Sequence, residues 1–141
     1  MRAQILAALS DVLLGEVSGI KVIESAKPEE LASCVASMPL VLKPEAVVSV
    51  LQKFGSGQIS ADDAQRWASL VRWGFIPGRP GSESTGPVDI DWELRYEDEI
   101  GEAVGRLDEL GDLIDGTIDQ DEVRYLINSL TRSDRDSADR L

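Results

Sequence analysis

The side chains in this chain with the numbers and spacing to do chemistry are carboxylates. Asp98 and Glu102 stand one helical turn apart, and Asp108, Asp112, Asp115, Asp119 and Glu122 follow. Residues three or four apart share a helix face, so such a set can hold a divalent cation or form an acid/base pair. The set lacks a companion. There is no histidine, which removes the commonest general base near neutral pH, histidine metal ligands and histidine-based triads. Cys34 is the single cysteine; it can form no internal disulfide and belongs to no zinc-ligand spacing. Its place on an apolar face with Leu31, Val35 and Met38 suits a buried structural thiol rather than a nucleophile. No Walker-type phosphate loop or Rossmann glycine fingerprint occurs. The carboxylates read first as a solvated face, and the chain as non-enzymatic, with no cofactor.

A metal site is the alternative reading. Setting Gly116 at the sixth position of a calcium loop puts Asp115, Ile118, Asp119 and Glu122 at the fifth, eighth, ninth and twelfth. The front half fails, because Gly111 and Leu113 then occupy the first and third positions, where oxygen ligands are needed. Asp115, Asp119 and Glu122 therefore remain a weak metal-ligand set, and a metal-binding regulator or carboxylate-dependent hydrolase stands as runner-up. A capped turn between helices explains the same residues.

Charge says more about partners than about reactions. From Asp89 to Glu122, fourteen carboxylates face two arginines, a balance of −12 that equals the formal charge of the whole chain. Such a field attracts cationic partners and repels nucleic acid, which is bound through clustered Lys and Arg. The N-terminal apolar stretch Ile5 to Leu14 is broken by Ser10 and Asp11, and the charge-free run Leu31 to Leu42 is twelve residues long and contains Pro39. Neither approaches the roughly 20 residues of a membrane span. The expectation is a cytoplasmic protein that binds a basic protein, without nucleic acid or membrane.

The elements that must position these residues are helices. The i, i+3, i+4, i+7 pattern is met in full by Val47, Val50, Leu51 and Phe54; by Ala64, Trp67, Ala68 and Val71; by Val123, Leu126, Ile127 and Leu130; and by Leu31, Cys34, Val35 and Met38. Ile5, Leu9, Val12 and Leu13, then Ile100, Ala103, Val104 and Leu107, bring the predicted helices to about six. Pro28 and Pro44 suit first turns; Gly15, Gly55 and Gly74 suit helix ends. Gly19 to Glu24 and Pro39 to Leu42 read alternatively as extended, able to pair as a short β-ribbon. Residues 1–130 form one helical domain: an N-terminal extension to 42, a first hairpin 43–73, a Gly/Pro-rich loop 74–88 and an acidic second hairpin 89–130, with helices resuming near Trp92. Residues 131–141 read as a disordered tail.

The hairpins echo one another. At an offset of 59, Phe54 to Asp63 aligns with Leu113 to Glu122, pairing Gly57 with Gly116 for a left-handed turn, Ile59 with Ile118 as plugs, and Ser60 with Asp119 as N-caps. Gly101 and Gly105, four apart in the most acidic predicted helix, predict a close helix crossing. Trp67 reads as core and Trp92 mainly as core, while Trp73 fits core and surface equally.

The GxISxxD turn from Gly57, the Gln65-x-Trp67-Ala68 step and the acidic run Arg106 to Asp112 resemble small acidic helical bacterial proteins of immunity-type or antitoxin-like character, across residues 40–130. That resemblance implies a helical interaction protein, one that can protect a cell from a toxin, and carries no catalytic residues. Together with the charge it points to an all-α helical bundle whose partner-contacting residues are Asp89, Asp91, Glu93, Glu97, Asp98, Glu99 and Glu102, with Trp92 or Tyr96 as an apolar anchor. A structural protein forming a homo-oligomer is the third reading.

Overall fold

The apolar stripes named above become the buried faces of helices, Met38 alone among their residues lying outside the described ones. The computed structural model describes residues 2–37, 39–74, 88, 90–111 and 116–139, with the main chain alone at 2, 28 and 132–139. Among these residues the elements run α1 (Arg2–Leu13), α2 (Gly19–Ser25), α3 (Pro28–Ser37), β1 (Val41–Leu42), α4 (Pro44–Gly55), α5 (Ala61–Trp73), β2 (Asp91–Trp92), a 3-10 turn (Leu94–Tyr96), α6 (Glu97–Asp108) and α7 (Gln120–Asp139). The fold is all-α. Prolines occupy the first positions of α3 and α4, where a missing N–H costs no helical bond.

The hairpins interlock, α4 packing against α7 and α5 against α6, while α1 packs on α2 and α3. Buried residues from Ile5 to Leu130 form one hydrophobic cluster. The first forty residues belong to it: the buried Trp67 indole N–H donates to the Val12 carbonyl at 2.9 Å, and Lys53 reaches the Gly15 carbonyl at 3.2 Å and Glu16 at 2.8 Å. Cys34 is fully buried. Among the described residues no helix is long and apolar enough to cross a membrane.

The echo at offset 59 survives in its caps. Ser60 Oγ accepts from the Asp63 amide at 3.1 Å, and Asp119 Oδ1 accepts from the Glu122 amide at 2.8 Å, each opening a helix. Gly57 adopts φ +79° and Gly111, in the second hairpin, φ +94°; residues 112–115, which precede Gly116, lie outside the described residues.

Three further features differ from the sequence reading. Gly19 to Glu24 is helical, part of α2, because packing against α1 outweighs the β-branched character of a segment too short to display a helical period. The extended Pro39 to Leu42 region does contain a strand, but β1 pairs in parallel with β2, Val41 opposite Asp91 and Leu42 opposite Trp92, so Trp92 lies in a strand and α-helix resumes only at Glu97. Finally, α7 continues to Asp139, past the expected start of the tail; Gln120 to Asp139 contains neither Gly nor Pro to stop it.

Of the expected loop, residues 75–87 lie outside the described ones, but its base is pinched. The Val88 amide donates to the Gly74 carbonyl at 2.8 Å. Gly74 ends α5 at φ +83°, and a Cβ there would lie 2.8 Å from the Val88 carbonyl oxygen, so conformation and close approach both demand glycine.

Candidate functional site

The acidic segment folds so that its carboxylates divide into two groups. Ile100, Ala103, Val104 and Leu107 bury one face of α6, and its first turn holds Glu97, Asp98 and Glu99, where negative charge complements the helix N-terminus. Glu97, Asp98 and Glu102 are exposed, as is Asp91 in β2, while Glu93 and Glu99 are half-buried. Glu102 accepts a weak contact from the Tyr125 hydroxyl at 3.5 Å. Asp89 lies outside the described residues. Between strand and helix stands Leu94, 84% exposed, beside an open groove of about 440 Å³ lined by Ile90, Asp91, Trp92, Leu94 and Glu97.

The two proposed aromatic anchors behave differently. Trp92 forms a wall of the groove, held in place by its indole N–H to the Val71 carbonyl at 3.0 Å. Its ring passes so near Gly101 that a Cβ there would lie 3.3 Å from Cζ3. The glycine thus admits a tryptophan ring rather than the expected helix crossing, and Gly105 has nothing within 4 Å of its Cβ position. Tyr96 is only 4% exposed and cannot serve as an anchor; Leu94 is the apolar residue that stands outward.

The second group is occupied within the protein. Asp108 accepts from Ser69 Oγ, from Gln65 at 3.2 Å, from Arg72 at 3.1 Å and from the Trp73 indole at 2.8 Å. These donors form a stripe along α5, with the Arg72 guanidinium 4.6 Å over the Trp73 ring, and they lock the C-terminal end of α6 to α5. Trp73, 55% exposed, is the cover of this polar cluster. Glu122 accepts from Arg106 Nε and from Arg106 Nη2 at 3.0 Å, and the same guanidinium reaches Glu109 at 2.5 Å and the Thr117 carbonyl at 3.0 Å. The Glu122 hydrogen bonds, opposed in part by burial, push the Arg106 pKa upward, so the clamp stays cationic.

This arrangement bears directly on metal chemistry. Asp108 and Glu122 are taken by protein donors and the Asp119 carboxylate caps α7, while Asp112 and Asp115 lie outside the described residues. Among the described residues no three carboxylate or thiol side chains converge in a way that could hold a metal ion.

Sequence reasoning missed Leu94 and the Asp108 cluster. A large apolar residue between Glu93 and Arg95 was a signal for the first. For the second, an aspartate in the last turn of a helix sits at its negative end, where it is unfavourable without outside donors, and Gln65, Ser69, Arg72 and Trp73 recur at one-face spacing. Comparison with protein-family models, with curated proteins and with solved structures finds no match.

Proposed function

We propose that this chain is a non-enzymatic binding protein whose acidic face docks on a basic surface of another protein in the cytoplasm. Its concrete form is an immunity-type inhibitor that covers the basic active site of a nuclease-like toxin. The observation that carries the reading is Leu94, almost fully exposed beside a groove and among the exposed Asp91, Glu97 and Asp98. An apolar side chain left in water beside exposed carboxylates suits a hydrophobic contact inside an electrostatically steered interface. Among the described residues the side chains of Asp91, Glu97 and Asp98 meet no protein donor, whereas Asp108 and Glu122 are held by several.

The test is an affinity pull-down from the native host's lysate at low and moderate salt, with the wild type and Glu97→Lys/Asp98→Lys/Glu102→Lys as baits, both shown to be folded by circular dichroism. A basic protein should be retained by the wild type at least about tenfold more than by the variant, and salt should weaken retention because exposed charges are screened. Equal retention by both baits would contradict the proposal.

A further inference from the structure

The two-stranded sheet leaves a main-chain edge next to the groove. The Asp91 amide donates to the Leu40 carbonyl at 2.9 Å and the Glu93 amide to the Leu42 carbonyl at 3.0 Å. In such a ladder the residue between two bonded ones turns its N–H and C=O the other way. Trp92, and Ile90 in the same phase, therefore present main-chain groups on the side of β2 away from β1, and among the described residues no third strand lies there. The strand is held in place, since the Trp92 indole is bonded to the Val71 carbonyl and its ring rests over Gly101. A fixed edge that is unpaired among the described residues and flanked by a groove is the setting in which an extended peptide is taken up as an added strand.

Resting on the docking role proposed above, we infer that the outer edge of β2 takes up an extended cationic segment of the partner, whose main chain pairs with Ile90 and Trp92. Its basic side chains meet Asp91 and Glu97, and an apolar one covers Leu94 and Ile90 in the groove. Charge selects this occupant over a second copy of the chain. Two copies meeting edge to edge would set Asp91 and Glu97 against the same residues, and like charges directly opposite are unfavourable. Charged side chains also protect strand edges from pairing with themselves; here the charged residues that line the groove, Asp91 and Glu97, are anionic, so they disfavour the chain's own edge and favour a cationic one.

The probe is an acetylated, amidated nonapeptide of alternating lysine and valine, used with the full chain at low salt. Two further versions carry N-methyl groups on the lysines or on the valines, which keeps the charge and removes the hydrogen bonds of one peptide edge. Affinity and amide exchange at Ile90 and Trp92 are read by NMR. The expected result is binding of the parent peptide, at least tenfold slower exchange at Trp92, and at least tenfold weaker binding of one methylated form. If all three peptides bind alike and Trp92 exchange is unchanged, strand addition is overturned while acidic docking stands. If none binds, strand addition is likewise overturned, and the charge-reversal pull-down alone decides the docking role.

Discussion

Asp98 and Asp108 are the same side chain on the same helix, yet their surroundings give them opposite work. Asp98 lies in the first turn of α6, exposed and favoured by the helix dipole; Asp108 lies in the last, disfavoured by the dipole and held by Ser69, Gln65, Arg72 and Trp73. Removing a carboxylate that satisfies buried donors costs the bonds and also strands the donors, Ser69 above all, which is completely buried. Asp108→Ala should therefore lower stability by about 2–3 kcal/mol, seen in thermal melting as about 3–5 °C for each kcal/mol. Asp108→Asn, which keeps one acceptor oxygen for Ser69 but loses the charge and the second acceptor that Arg72 and Trp73 use, should fall between variant and wild type. A melt for the alanine variant that matches wild type would show the cluster to be idle. None of this is apparent from counting carboxylates: the list of acids is visible in the sequence, but which of them meets a donor depends on α5, some forty residues away.

At the scale of elements the sequence was far more legible, because helical period and capping are local. The described residues of all six predicted stripes lie on helices, and Ser60 and Asp119 cap α5 and α7 as their types imply. What escaped was non-local or short. Nothing near Val41 indicates that its strand partner is Asp91, and seven residues of α2 cannot display a repeating pattern. The paired glycines of α6 make a prediction that belongs here. Gly105 has nothing near its Cβ position and no positive φ, so Gly105→Ala should stabilise by about 0.5–1 kcal/mol through helix propensity. At Gly101 the Trp92 ring stands 3.3 Å from that position, and Gly101→Ala should gain less or lose. Urea unfolding of the two variants side by side checks this; destabilisation by Gly105→Ala would contradict the assignment of open space there.

For the whole molecule, one core runs from the first helix to the last and the net negative charge comes from one segment of the chain, Asp89 to Glu122. Asp108 and Glu122, with Arg106 as the clamp, tie α6 to α5 and α7, while Asp91, Glu97, Asp98 and Glu102 are exposed and, on the proposed reading, meet the partner. The all-α architecture was readable from periodicity, and the acidic segment that carries the proposed site was readable because charge density is a property of composition. The division was not, since it depends on which faces α5 and α7 cover.

The most direct test measures melting temperature and retention of the basic partner together, on Glu97→Gln/Asp98→Asn/Glu102→Gln and on Asp108→Asn/Glu122→Gln. The first variant should change stability by no more than about 0.5 kcal/mol, as surface substitutions do, and lose the partner. The second should lose about 2 kcal/mol or more and, assayed well below its melting temperature, keep it. Loss of stability in the first with binding intact, or loss of binding in a fully folded second, would contradict the division of the acidic segment into carboxylates that hold the fold and carboxylates that meet the partner.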